Sequence, residues 1–597
     1  MNDTIQARIA AFRREMAAAE IDAAIIYHTD PHQSEYIAPH WQVRRWLSGF
    51  TGSAGTLVIT PDEALLWTDS RYFLQADRQL EGTGITLMKD GLTSTPSIEE
   101  HLISRLPSGS TVGVDGMLLS VQADKALRET LGAHGINVDT TFSPIDRIWN
   151  DRPALPAGKA FIHDAKYAGE QASDKIARVL ADAAAQGGNA AFISALDEIA
   201  WVLNIRSNDV PCNPVATSFL YLSGDGSTLF IDENKIDDAM RAYLKENGVT
   251  ILPYSTDEVT RFLQWLPGDA KVVVNASCTA TNLLPALGDK AVLGKSLIAM
   301  PKGIKNQVQI DGVRSAMERD GAALVGAFME IERRLADGTK TTEMDVAEIL
   351  TRHRSNQPLY FDDSFDTIAG YADHGAIVHY SATPETDYTL QPSSLLLIDS
   401  GAQYLDGTTD ITRTIALGTP TSQQRHDFTL VMKGHIALGS AIFPADTRGA
   451  QLDALARQFL WREGLSYLHG TGHGVGHFLN VHEGPQNIRL NENPAILRPG
   501  MITSNEPGLY RAGEYGIRCE NLVLTVPAFT TGFGDFNRFE TLTLFPFDRT
   551  LFDTAIMSPA EIDWIDRYHA DVLRRLSPLL DDNARAWLTA KTVPLDR

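Results

Sequence analysis

Asp399, Asp410, His473, Glu506 and Glu520 constrain this chain more than any other residues. They lie in short stretches punctuated by glycine. The first is Leu397-Ile-Asp399-Ser-Gly401, running on to Gly407-Thr-Thr-Asp410-Ile-Thr-Arg413-Thr. The second is His469-Gly-Thr-Gly-His473-Gly-Val-Gly476, and the third is Asn505-Glu506-Pro-Gly508-Leu-Tyr510 followed by Gly516-Ile-Arg518-Cys-Glu520-Asn. Carboxylates gathered in one place repel, and one would hold its proton. Two divalent cations remove that conflict, and they also activate a water and polarise a carbonyl. A surface acid or a satisfied core histidine is the ordinary reading of any one member, but it does not account for the set with its glycine spacing.

The spacing asks for strands. Leu395-Leu-Leu-Ile398 is an apolar run ending at Asp399, and Asp406-Gly-Thr-Thr409 reads as a turn. A hairpin there would set Asp399 and Asp410 side by side across neighbouring strands. Met501-Ile-Thr503 before Glu506 and Asn521-Leu-Val-Leu-Thr525 after Glu520 repeat the device. A helical zinc motif is excluded, because Gly-Thr-Gly separates His469 from His473, with no glutamate and with strong helix breakers.

These stretches resemble the Asp–Asp–His–Glu–Glu signature of the pita-bread metallopeptidases (family M24B), which include methionine aminopeptidase, prolidase and aminopeptidase P. They are most similar to the long, three-domain, cytosolic Xaa-Pro aminopeptidases. The similarity extends through Arg45-Trp-Leu-Ser-Gly-Phe-Thr-Gly-Ser-Ala-Gly55, Trp67-Thr-Asp-Ser-Arg-Tyr-Phe-Leu-Gln75, Leu196-Asp-Glu-Ile-Ala-Trp201 and Asn204-Ile-Arg206, and so covers nearly the whole chain. The resemblance implies that Asp410 and Glu520 bridge two metals, that Asp399 completes one shell, and that His473 and Glu506 complete the other. It also implies roles outside the metal shell for His379, His469 and His482, and positions lining the site for Tyr510 and Arg518.

The implied reaction is hydrolysis of the bond between a first residue and a proline at position two. Oxygen-rich ligands with one imidazole suit Mn²⁺, and Zn²⁺ or Co²⁺ fit the same donors. Glu506 is the candidate proton handler, and His379 and His482 are candidate donors to the substrate or oxyanion. His379 lies in Ala376-Ile-Val-His379-Tyr380, which reads as a short apolar strand. Arg518 stands two residues before Glu520 and so on the same strand face, where an ion pair to a ligand carboxylate competes with substrate contact. A bond to proline has no N–H, so selectivity needs a wall for the ring, for which Tyr510 and Val481 are candidates. Prolidase and a non-catalytic pita-bread binding module are the alternatives; complete ligands speak against the second and against metal-free, creatinase-like hydrolysis.

Net charge is −23, which argues against nucleic-acid and anionic-membrane partners. The start, Met1-Asn-Asp-Thr-Ile-Gln, lacks a basic segment followed by an apolar one, so no signal peptide is expected. No apolar run is long enough to cross a bilayer. The 3 cysteines, Cys212, Cys278 and Cys519, suit a reducing cytoplasm; Cys519, beside Glu520, reads as a buried thiol.

At 597 residues the chain should contain several domains. Strands are expected at Ala23–Tyr27, Gly55–Ile59, Ala64–Trp67 and Thr111–Val114, with helices at Ile98–Leu106 and Val121–Leu131. After Pro153-Ala-Leu-Pro156 the pattern restarts, with strands at Ala191–Ser194, Phe219–Leu222, Thr228–Ile231 and Lys271–Val274 among helices at Ser173–Ala185, Ile236–Asn247 and Ser255–Leu266. The two units look like a weak internal duplication, with Trp46 and Trp201 early in each. The expected architecture is α/β: related domains at 1–155 and 156–309, then a pita-bread catalytic domain at 310–597. The last opens with a helix over Gly312–Leu335, ended by Asp337-Gly338. A Thr342/Asp345 pair caps the next helix, and further helices follow at Gln424–Ile442 and Ala450–Glu463. The amphipathic Pro559–Leu576 segment would dock on the domain or serve a dimer contact. Peptide substrates and a second copy of the chain are the expected partners.

Overall fold

The computed structural model describes residues 2–596, which form two compact units: one runs to Ala165 and resumes over Glu170–Ile298, and the other takes Lys166–Gly169 and everything from Ala299. The first unit contains two sheets of the same design. Ala23–Ile26 is wholly buried; it pairs antiparallel with Thr56–Ile59 and parallel with Thr111–Val114. Ala64–Thr68, Thr86–Lys89 and Asn137–Asp139 complete six strands. Ala190–Ile193 plays the same central part in the second sheet, antiparallel to Ser218–Ser223 and parallel to Val272–Asn275, with Ser227–Ile231, Val249–Leu252 and Ala291–Gly294 outside. The strand order and pairing senses match throughout, so the duplication is visible in topology. Trp46 and Trp201 lie on equivalent helices, Val43–Ser48 and Leu196–Leu203, each following the central strand. One element not expected from the sequence is the helix Asn2–Ala18, whose Ile5, Ile9, Phe12 and Met16 form a buried stripe at helical spacing.

In the second unit the long helix is Gln307–Ala336. It starts earlier than apolar periodicity indicates, because Asn306 and Gln309 form a capping box. Gly338 takes φ +70° just beyond its end, a left-handed position that suits glycine. Thr342 and Asp345 form the expected box at the head of Glu343–Ser355. Ser422–Gly439, Gly449–Trp461 and Pro559–Leu576 are the remaining long helices. The last buries Ile562, Ile565, Val572 and Leu576 in the core of its own unit. At about 1.5–3 kcal/mol for each large aliphatic side chain, that face is spent on docking, one of the two roles expected of the segment.

The functional residues lie on two nested hairpins. In the first, β1 (Leu395–Ser400) pairs antiparallel with β4 (Ile411–Ala416), while β2 (Ala402–Tyr404) and β3 (Gly407–Thr408) form an inner hairpin in a different sheet. In the second, β5 (Ile502–Asn505) pairs antiparallel with β8 (Asn521–Thr531), around an inner hairpin of β6 (Gly508–Arg511) and β7 (Tyr515–Arg518). Two expectations are corrected. The turn is at Leu405-Asp406, and Gly407-Thr408 is strand, because the chain must pass close to the long helix: a Cβ at Gly407 would lie 3.1 Å from Val313 Cα. Asp410 is not opposite Asp399, whose ladder partner is Thr412; Asp410 sits where the chain re-enters β4 from the inner hairpin.

Candidate metal centre

Each nested hairpin carries an acid where its inner loop leaves and another where it returns. Asp399 is the penultimate residue of β1 and Asp410 immediately precedes β4; Glu506 immediately follows β5 and Glu520 immediately precedes β8. His473 comes from the short strand Gly472–Gly474, which runs antiparallel to β5 through the Gly474–Thr503 pair. The glycines of that stretch permit the approach, since a Cβ on Gly472 would lie 2.0 Å from the Ser504 carbonyl oxygen.

Ligand atoms of Asp410, His473 and Glu520 lie within 4.8 Å of one another. His473 Nε2 is 3.4 Å from both Asp410 Oδ2 and Glu506 Oε1. Its Nδ1 is 2.9 Å from the Gly474 carbonyl oxygen, which can only accept, so Nδ1 carries hydrogen and Nε2 faces the acids. Asp399 Oδ1 and Glu520 Oε1 are buried without a hydrogen-bond partner in the protein. Burial raises the pKa of Asp399, with Arg518 opposing and Asp410 adding to the shift, and raises Glu520 well above the carboxylate range, with help from Asp410 and Glu506. Burial pushes Glu506 up to about 7. Burial opposes a charge on His473, but its bond to Asp410 and the charges of Glu506 and Asp410 prevail, pushing it up to about 9. Left to itself the cluster would hold protons, and orphaned carboxylate oxygens gathered beside one imidazole are what divalent cations satisfy. The donor set therefore fits the cations expected of it: hard oxygens, one imidazole and no thiolate.

The surroundings revise several expected roles. Arg518 is 1% exposed. Its Nη2 donates to Asp399 Oδ2 at 2.6 Å, its Nε to the same oxygen at 3.2 Å and its Nη1 to the Tyr510 hydroxyl at 2.8 Å. Of the two roles weighed for it, the ion pair is the one this geometry makes, to Asp399. Tyr510 OH also lies 2.9 Å from His469 Nε2, while His469 Nδ1 donates to the Gly470 carbonyl at 2.8 Å. The Tyr510 hydroxyl thus joins His469 to Arg518. His482 stands edge-on to His473, ring centroids 4.4 Å apart. Val481 is 0% exposed, so it presents no surface to a proline ring. His379 is half-buried in a turn after the short helix Ala372–Ala376, and no strand forms there; that helix packs against β7. Cys519 is buried in the core with its thiol pushed up to about 12, an inert group.

Two contacts were missed from sequence. Thr412 Oγ1 donates to Glu520 Oε2 at 2.8 Å, and Ser504 Oγ donates to Glu506 Oε1 at 3.1 Å while accepting from the His473 N–H at 2.9 Å. Thr412 is two residues after Asp410 and Ser504 two before Glu506, so the same-face rule that singled out Arg518 would have found both.

Residues 311–527 match the model of metallopeptidase family M24 and 535–595 that of its C-terminal region; 8–148 and 151–309 match creatinase/prolidase N-terminal domains. The catalytic unit is thus a pita-bread metallopeptidase domain preceded by two creatinase-type domains. Aminopeptidase P2 of Arabidopsis thaliana is 40% identical over 96% of this chain and 86% of its own length. A probable Xaa-Pro aminopeptidase P of Coprinopsis cinerea is 39% identical over 98% of each. The crystal structure of X-prolyl aminopeptidase from Caenorhabditis elegans, a cytosolic enzyme with a di-nuclear active site, superposes over 100% of both chains with TM-score 0.95 and 34% identity. The chain belongs to the M24 metallopeptidases and, within them, to the long Xaa-Pro aminopeptidases.

Proposed function

We propose that this chain removes the first residue from peptides whose second residue is proline, using two divalent cations, Mn²⁺ by preference, bound by Asp399, Asp410, His473, Glu506 and Glu520. The observation that carries the reading is the full-length likeness to a solved X-prolyl aminopeptidase with a di-nuclear site, coinciding with a buried cluster of just those five side chains. When bound, the cations supply Lewis acidity to the peptide carbonyl and make water a nucleophile at neutral pH.

The chain's own residues do the rest. Arg518 fixes Asp399 in place and opposes the burial that disfavours its charge. Ser504 fixes one oxygen of Glu506, whose carboxylate takes the proton of the attacking water and returns it to the departing proline nitrogen, which cannot leave as an anion. Glu506 and His473 retain about a fifth of their side-chain exposure (17% and 21%), making theirs the open side of the cluster. His482, beside His473, and His379 donate to the carbonyl oxygen as charge develops on it. Tyr510, oriented by Arg518 and His469, forms the wall for the proline ring. The divisions at 155/156 and 309/310 delimit three domains, the last of which carries all of this chemistry.

The enzyme works in the cytoplasm: its solved relative is cytosolic and no helix among the described residues is long and apolar enough to cross a membrane. It acts as a homodimer formed through the catalytic domain, where Trp461 and Leu468 leave apolar surface exposed. The test is mass-spectrometric cleavage of Arg-Pro-Pro, Arg-Ala-Pro, N-acetylated Arg-Pro-Pro and Arg-Pro. Arg-Pro-Pro alone should be cut efficiently, with alanine at position two lowering kcat/KM by more than ~10-fold. Equal cleavage of Arg-Ala-Pro would make this a general aminopeptidase, and cleavage of Arg-Pro alone a prolidase.

A further inference from the structure

Alternation along β4 puts Thr412 and Arg413 on opposite faces. Thr412 reaches the Glu520 carboxylate. Arg413 reaches round the other side, its Nη1 donating to the Glu520 carbonyl oxygen at 2.5 Å. The Glu520 N–H completes the grip on the Thr412 carbonyl at 3.2 Å. One strand therefore fixes both the carboxylate and the peptide groups of this acid.

The rest of Arg413 is committed to the C-terminal region. Nε donates to the Pro546 carbonyl at 3.1 Å; Nη2 donates to the Phe545 carbonyl at 2.6 Å, to Asn521 Oδ1 at 2.8 Å and to the Tyr568 hydroxyl at 2.9 Å. The guanidinium stacks on Phe547, 3.9 Å from its centroid. It is 2% exposed and meets no carboxylate side chain in any of these contacts. A buried charge held by carbonyls and hydroxyls is costly unless every donor is seated, so the group is intolerant of displacement. Tyr568 belongs to the helix Pro559–Leu576, which supplies no metal ligand. On the same side, His435 Nδ1 donates to the Asn505 carbonyl at 3.1 Å and its own carbonyl accepts from Asn505 Nδ2 at 2.9 Å. The residues flanking Glu506 and Glu520 are thus tied into one network.

We propose that Arg413 is a positioning residue for Glu520 and that the Tyr568 hydroxyl, by seating Arg413, makes the C-terminal helix a determinant of metal affinity. The inference rests on the assignment of Glu520 as a metal ligand. Planar, multidentate seating is what an arginine provides and a lysine does not. Support lost one step behind a ligand weakens metal binding by ~10–100-fold.

The test is calorimetric titration of Mn²⁺ into chelator-treated full-length protein, with thermal melting of the metal-free forms. Tyr568→Phe, which keeps the ring and removes only the hydroxyl, should weaken at least one Mn²⁺ by about 10-fold; Arg413→Lys should weaken it further, toward ~100-fold. The control is Glu561→Gln, which removes the charge of the Lys433–Glu561 ion pair (2.7 Å) on the same helix without touching Arg413; its Mn²⁺ affinity should equal that of the parent. If Arg413→Lys does not fold, Tyr568→Phe decides. Unchanged Mn²⁺ affinity in Tyr568→Phe would overturn the inference, and so would an equal loss in Glu561→Gln, which would mark general loosening of the helix. A parent protein that binds no Mn²⁺ would overturn the metal assignment itself.

Discussion

Strands β1–β4 and β5–β8 make the same shape, an outer antiparallel pair whose inner hairpin departs and returns past an acid. Their bracing differs. The first acid of the first hairpin, Asp399, is held by a guanidinium that comes from the second hairpin, Arg518. The last acid of the second, Glu520, is held by a neutral hydroxyl that comes from the first, Thr412. Each hairpin therefore steadies the other. The positive brace offsets part of the burial penalty on Asp399, while Glu520, with no cationic side chain on its carboxylate, is raised well above the carboxylate range. A repeated backbone device can thus hold acids of unequal charge demand, with the inequality set by one side chain on each partner strand.

The sharpest way to break this picture is Glu520→Ala. It should abolish binding of one or both metals and lower kcat/KM by ~10³-fold or more, since the chemistry depends on them; metal content by plasma mass spectrometry alongside kinetics would show it. His482→Ala tests whether the imidazole beside His473 serves substrate: turnover should fall by ~10²-fold with both metals retained, and loss of metal would place His482 in the ligand shell. Replacing the braces compares the hairpins directly. Arg518→Lys should weaken metal binding by ~10–100-fold and Thr412→Val by about 10-fold; equal effects in calorimetry would erase the distinction between charged and neutral support.

The smallest effect concerns acid. His435 and His569, both behind the second hairpin, are kept neutral by burial, each with a pKa lowered to about 3, and His569 Nε2 accepts from the Phe547 N–H at 3.1 Å. The unfolded chain binds protons near pH 6.5 that the folded one refuses down to about 3, so stability is complete above pH 6.5 and is lost as pH falls below it. From pH 7 to pH 6 each histidine should cost about 0.7 kcal/mol, measurable in urea melts of metal-free protein. His569→Gln should flatten the slope; an unchanged slope would dissociate this side of the molecule from acid sensitivity.

Much of this site was legible in the residues. Apolar runs ending in acids foretold strands, and the glycines between His469 and His473 ruled out a helix. The i±2 rule gave Arg518 an ion-pairing alternative, and Arg518 pairs with Asp399. Local pattern does not reveal which sheet an inner hairpin joins, so Asp410 was expected opposite Asp399. Val481 sits beside His482 in sequence, yet the backbone turns its side chain into the core. Arg413 and His435 were invisible as supports because their partners lie 70 to 155 residues away. The Ile5-Ile9-Phe12-Met16 stripe, by contrast, carries its helical spacing openly in the sequence.

Cys519 gives the neighbourhood of Glu520 a chemical bias. The sulfur is one residue from Glu520, yet it is packed in the core and kept protonated. Thiophilic ions such as cadmium or mercury would gain most from a thiolate, and they find none offered. The candidate site shows them only carboxylates and an imidazole, so packing the thiol away leaves a donor set that favours hard ions over soft ones.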